Sequence, residues 1–89
     1  MRLMGREVIV YTMEHCKFCE EEKEWLKSRG IPYEERNIVD NPSYLHDLEK
    51  RGVYGTPFTL IREDAGEEKA IKGFNQDVLE EYLGGMAKR

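Results

Sequence analysis

The stretch Val8-Ile9-Val10-Tyr11-Thr12-Met13-Glu14-His15-Cys16-Lys17-Phe18-Cys19 decides how this chain is read. Its first half, residues 7 to 12, is apolar on both faces, as expected of a central strand in a sheet covered by helices. Its second half holds the chain's only two cysteines, at the head of a charged, helix-like segment. With two residues between them, both sulfurs can meet across the first helical turn, so a disulfide can form and break there without rebuilding the backbone. A strand that feeds a dithiol at a helix start is a redox arrangement. Thiol–disulfide exchange is therefore the first function the residues suggest.

Outward from this stretch, the pattern turns helical from Lys17 to Ser28, where Phe18 with Trp25 and Cys19 with Leu26 stand seven apart on one face, and Gly30 suits the stop. Ile31-Pro32 forces an extended exit into a polar strand, Tyr33 to Ile38, that belongs at a sheet edge. Asp40-Asn41-Pro42 offers an N-cap and a helix-starting proline, Tyr44, Leu45 and Leu48 form a short apolar stripe, and Gly52 ends the helix. Phe58 to Arg62, the turn Glu63-Asp64-Ala65-Gly66 and Lys69 to Lys72 read as a hairpin. Asn75 caps a last helix carrying Val78, Leu79, Tyr82 and Leu83, with Phe74 just before it as a staple. The order is β-α-β-α-β-β-α. A right-handed crossover and a hairpin then give an α/β fold with a four-stranded mixed sheet in order 2-1-3-4, helices on both faces.

The 89 residues are expected to form one domain with a core spanning 7–83 and a tail fraying over 84–89. A composition of 36% charged and 39% hydrophobic residues is that of an ordinary soluble domain, and the net charge of −4, with acids and bases interleaved, argues against a nucleic-acid grip. No stretch approaches a membrane span and Met1 to Gly5 lacks the apolar region of a secretory signal, so a cytoplasmic location is expected. Two cysteines in a reducing compartment favour a cycling dithiol over a permanent staple. A monomer is expected because no large apolar face is left once the core is assigned.

Taken together, four features resemble the glutaredoxin branch of the thioredoxin-fold family over roughly residues 7 to 83. They are Val8 to Cys19, Gly30-Ile31-Pro32-Tyr33-Glu34-Glu35, Thr56-Pro57, and Gly73-Phe74-Asn75-Gln76-Asp77. The resemblance implies that Pro57 is a cis-proline facing the dithiol and that Thr56 presents backbone to an extended partner segment. It implies a dithiol redoxin that reduces protein disulfides, with a potential of roughly −200 to −270 mV. Lys17, Phe18, Thr56, Pro57, Gly73, Phe74, Asn75 and Asp77 are the substrate-binding positions expected from it.

Cys16, at the helix start, is the expected nucleophile, because unpaired N–H groups and the helix dipole favour its thiolate. Cys19, one turn deeper, is the expected resolving thiol. Lys17 and His15 could each add positive charge, but both are expected to point to solvent. The family usually has a small residue where this chain has Glu22, three positions after Cys19. Glu22 either accepts the resolving thiol's proton or is one more solvated acid among Glu20, Glu21 and Glu24, and the solvated role is the expected one. Phe18 and Tyr54 are aromatic positions more often found in cores than on contact surfaces, although Phe18, between the cysteines, suits the rim of the attacking sulfur equally well.

The electron donor is expected to be either thioredoxin reductase or glutathione, and no cofactor is required, glutathione entering only as a cosubstrate if it is the donor. Glutathione-binding glutaredoxins usually carry a Lys three positions before the nucleophile and a Gly-Gly pair before the last helix. This chain has Met13 and Gly73-Phe74 there, which removes a charge-assisted partner for a carboxylate. Gly73-Phe74 with Asp77 is similar to the NrdH-type redoxins, which take electrons from thioredoxin reductase. Ile71-Lys72 and Phe18 depart from that pattern, which has Trp-Ser and Gln. Three rivals remain: zinc held by Cys16, Cys19, His15 and His46, an iron–sulfur cluster shared by two chains, and a non-catalytic module docking through Phe18, Met13 and Tyr54.

Overall fold

A computed structural model describes residues 6–63 and 66–88. The elements run β1 (Glu7–Thr12), α1 (Lys17–Ser28), β2 (Glu34–Asn37), α2 (Pro42–Lys50), β3 (Phe58–Arg62), β4 (Glu68–Lys72) and α3 (Gln76–Lys88). The four strands form one sheet in the order β2-β1-β3-β4. β1 runs parallel to β2 and antiparallel to β3, and β3 pairs antiparallel with β4, as the expected crossover and hairpin require.

Strand alternation divides the core into two layers. Val8 and Val10 of β1, Ile61 of β3 and Ile71 of β4 point to one face, where they pack with Trp25 and Leu26 of α1 and Leu79 and Leu83 of α3. Ile9 and Tyr11 of β1 with Phe58 and Leu60 of β3 point to the other face, against Leu48 of α2 and Val53. β1 and β3, buried on both faces, are the centre of the fold. β2 is a polar edge. It is fastened by Thr12, whose hydroxyl donates to Glu35 Oε2 at 2.8 Å, and by Lys23 of α1, whose ammonium reaches the same oxygen at 3.0 Å.

The helix boundaries follow local chemistry. Asn41 accepts from the Ser43 N–H at 3.0 Å with Pro42 at the first helical position, and the chain leaves α2 through Gly52 at φ 73°. α1 ends at Arg29, and Gly30 at φ 68° turns the chain so that the Ile31 N–H can donate to the Leu26 carbonyl at 3.0 Å. Such left-handed positions cost a side chain roughly 1–2 kcal/mol and suit glycine. Asn75 accepts from the Val78 N–H at 3.2 Å and thereby caps α3.

The helical backbone of α3 runs to Lys88, through Gly84 and Gly85. After the two glycines come Met86, Ala87 and Lys88, all good helix formers, and no proline stops them. Leu45, placed by periodicity in the stripe of α2, is exposed, because the short helix turns only Leu48 and part of Tyr44 to the core. The hairpin positions Asp64 and Ala65 lie outside the described residues.

Leu26 is fully buried in the layer that seats α1 on the sheet. A Leu26→Ala variant is expected to lose about 2–5 kcal/mol of stability. Urea unfolding of the oxidised protein checks this through a lowered midpoint at unchanged slope.

Candidate active site

Three chain segments meet at one end of the sheet. β1 delivers Met13 to Cys16 from its carboxyl end; β3 begins there after Thr56 and Pro57, and β4 ends there before Gly73, because Phe58 pairs with Tyr11 on one side and with Lys72 on the other. The Gly73 N–H donates to the Pro57 carbonyl at 2.8 Å, which ties the approach to α3 onto the proline loop. Gly73 itself sits at φ 77°, in the left-handed region. The Thr56–Pro57 peptide bond is cis.

Cys16 and Cys19 are joined as a disulfide with Cα atoms 5.2 Å apart. Cys16 is the N-cap of α1, with extended backbone, and its Sγ accepts from the Cys19 N–H at 3.1 Å. The Thr56 hydroxyl lies 3.6 Å from the same sulfur, in a donor position. His15, just before it, takes φ 58°, a turn that swings the chain from β1 into the helix. The two cysteines differ in access: Cys16 is half-buried and Cys19 is sealed.

The expected binding residues surround this pair unequally. Lys17 and Phe18 are exposed on the first turn of α1, and Phe18, at 59% exposure, does not share the buried face that Trp25 occupies. Tyr54 is 85% exposed rather than core, because the loop between α2 and β3 runs outside the sheet. Phe74 packs partly against the core layer and, with Lys17, Glu24, Trp25 and Gln76, lines an open groove of about 590 Å³. Asn75 is occupied as the cap of α3, and Asp77 is exposed in that helix's first turn. Thr56 itself lines a smaller pocket of about 130 Å³, walled by Met13, Leu45, Val53 and Tyr54. Among the described residues no three His, Cys, Asp or Glu side chains converge as a metal site, and His46 stands exposed on α2 beside Glu49.

Glu22 is the residue the sequence reading misplaced. Instead of joining the solvated acids it is 0% exposed, on the buried stripe of α1 with Cys19 and Leu26. The hydroxyl of Thr59, on the central strand β3, donates to its Oε2, and its Oε1 has no hydrogen-bond partner. The spacing that put Cys19 and Leu26 on one face also puts the intervening i+3 position there. The partner hydroxyl, however, comes from a strand 37 residues away and leaves no local signal. Burial pushes the Glu22 carboxyl from its ordinary 4.5 up to about 7, against the opposing pull of the Thr59 hydroxyl.

A raised carboxyl holds its proton in the folded chain where the unfolded chain has already lost it. Stability attributable to Glu22 is therefore complete below about pH 4.5, falls as pH rises towards 7, and stays low above that, a loss on the order of 3 kcal/mol. A Glu22→Gln variant is expected to lose this slope. Urea unfolding of both oxidised proteins between pH 4.5 and 8 measures it; parallel stability curves would show that Glu22 does not titrate on folding.

The glutaredoxin family profile matches residues 8–64, more than half of the chain. The Lactococcus lactis glutaredoxin-like protein NrdH is 29% identical over 72 residues, covering 81% of this chain and 93% of that protein. The global transcriptional regulator Spx of Listeria monocytogenes is 37% identical over 43 residues, 48% of this chain and 33% of Spx, so the chain matches about a third of the length of those relatives. Among solved structures, the thioredoxin-like protein BC3987 superposes with a TM-score of 0.73 at 29% identity, covering 86% of this chain and all of that one. The Escherichia coli NrdH-redoxin superposes with a TM-score of 0.73 at 24% identity, covering 84% of this chain and 92% of that one, a likeness of fold. A family match running from the first core strand through the third, on a sheet of order 2-1-3-4 with the thioredoxin fold, establishes that this chain belongs to the glutaredoxin family.

Proposed function

We propose that the protein is a thiol–disulfide oxidoreductase that reduces protein disulfides, with Cys16 as the attacking thiolate and Cys19 as the resolving thiol. The observation that carries this reading is the asymmetry of the pair: one accessible sulfur capping a helix N-terminus, the other buried one turn below it. An N–H donor and the positive end of the helix dipole both stabilise negative charge on Cys16, and the thiolate is the nucleophile in disulfide exchange. Attack by Cys16 on a partner disulfide gives a mixed disulfide. Cys19 then attacks the Cys16 sulfur, closes the intramolecular bond and releases the partner reduced.

Thr56 supports the docking half of the reading. Its hydroxyl lies beside the Cys16 sulfur, so a partner strand hydrogen-bonded to its backbone would bring a cysteine within reach of attack. Phe18 on one side and Met13, Leu45 and Tyr54 on the other give that strand apolar surface to cover. For the electron donor we propose a thioredoxin reductase rather than glutathione. Met13 supplies no charge for a glutathione carboxylate, and Phe74 is anchored against the core where a flexible Gly-Gly would receive the ligand. The match along nearly the whole of NrdH supports the same choice. The cytosol, which keeps such a dithiol cycling, is the proposed location.

NADPH consumption with insulin as disulfide substrate tests the proposal when thioredoxin reductase and glutathione with glutathione reductase are run in parallel. Turnover through thioredoxin reductase at least roughly tenfold faster than through glutathione is expected, and Cys16→Ser is expected to abolish both. No turnover in either arm would refute the oxidoreductase reading, and faster turnover with glutathione would refute the donor assignment. In the reduced protein, iodoacetamide at neutral pH is expected to alkylate Cys16 at least roughly ten times faster than Cys19, as peptide mapping would show.

A further inference from the structure

The buried carboxyl on α1 has one oxygen engaged by Thr59 and the other, Oε1, sealed from solvent without a donor. An unsatisfied buried acceptor is costly, roughly 1–3 kcal/mol or more for a charged group. Side chains of a helix lean toward its N-terminus, so the Glu22 side chain lies over the preceding turn, and the residue there on the same buried face is Cys19. Neighbours at i and i+3 have Cβ atoms about 5–6 Å apart. In the oxidised protein Cys19 has no proton to give. Once the disulfide is reduced, Cys19 carries an S–H inside a compartment whose free acceptor is Oε1.

Resting on the oxidoreductase reading above, we propose that Glu22 is the proton acceptor for the resolving thiol. In the mixed disulfide, the Cys19 S–H proton passes to Glu22 Oε1. The Cys19 thiolate attacks the Cys16 sulfur, the Cys16–Cys19 bond forms, and the bond from Cys16 to the partner sulfur breaks. The partner leaves with the electron pair as a thiolate and takes its proton from water. When the donor reduces the disulfide again, Cys19 departs as a thiolate and recovers its proton from Glu22. Two electrons and one proton at Glu22 are thus balanced over a cycle.

The surroundings leave this carboxyl free to act. On α1 the nearest cation, Lys23, holds its ammonium at Glu20 and Glu35, at 3.1 and 3.0 Å. β3 contributes the neutral Thr59, flanked in the sheet by Val10 of β1 and Ile71 of β4, and α3 contributes Leu79 and Leu83 to the same layer. No charged group shifts the Glu22 titration; burial and the Thr59 hydroxyl set it, with a midpoint near 7. A base poised near neutral pH is matched to taking a thiol proton.

The test is a single turnover of the reduced protein with bis(2-hydroxyethyl) disulfide between pH 5.5 and 9, acid-quenched and read by mass spectrometry as mixed disulfide and resolved product. In the wild type the resolution rate is expected to rise through about pH 7. Glu22→Gln is expected to lose that rise and resolve at least roughly tenfold more slowly at pH 8, while the first attack by Cys16 is unchanged. Thr59→Val, which removes the one contact that lowers the carboxyl's pKa, is expected to move the rise to higher pH, and it serves if Glu22→Gln does not fold. A wild-type profile in Glu22→Gln, or an unmoved rise in Thr59→Val, would overturn the proposal. If the wild type formed no mixed disulfide at all, the oxidoreductase reading itself would fall.

Discussion

The sulfur of Cys16 caps the helix it opens, and most of the site depends on that contact. The Cys19 N–H, one of the donors that a helix start leaves unpaired, is satisfied by the Cys16 Sγ at 3.1 Å. One hydrogen bond therefore starts α1 at Lys17 and brings positive potential to the atom that has to carry charge. The helix must then be held against the sheet for this geometry to persist. Trp25 and Leu26 do so through the apolar layer, while Lys23 joins the helix to Glu35 on the edge strand.

Against this seat stands a conflict on the same helix face. A fully buried carboxyl in the stripe that anchors α1 opposes folding above neutral pH, and an apolar side chain there would pack at lower cost. Thr59 offsets part of the penalty by donating to one oxygen from β3, one of the two central buried strands of the sheet. The unpartnered Oε1 keeps the rest of the penalty in place, about one helical turn along α1 from Cys19, the buried cysteine of the pair. Stability and chemistry thus pull on Glu22 in opposite directions, as they do at sites where a poorly satisfied group is retained for function.

Much of this was legible in the residues. The strand β1, the dithiol, the caps at Asn41 and Asn75 and the glycine stops at Gly30 and Gly52 are local signals, and strand order followed from element order. What periodicity missed was decided by distant partners. Glu22 falls on the buried stripe, but only the Thr59 hydroxyl makes a carboxyl tolerable there. Tyr54 and Phe18 look like core residues by composition, yet one lies on a loop outside the sheet and the other on the first helical turn, beyond the layer that holds Trp25.

The central claim is that two cysteines on one helical turn divide the work of attack and resolution. Trapping the intermediate tests it most directly: reduced Cys19→Ser protein is mixed with an insulin disulfide, quenched with acid, digested and mapped by mass spectrometry. The account predicts that insulin is captured almost entirely as a mixed disulfide on Cys16 and stays there, whereas the wild type passes through the adduct to the Cys16–Cys19 disulfide. No capture on Cys16, or an adduct there that releases as fast without Cys19 as with it, would contradict the account.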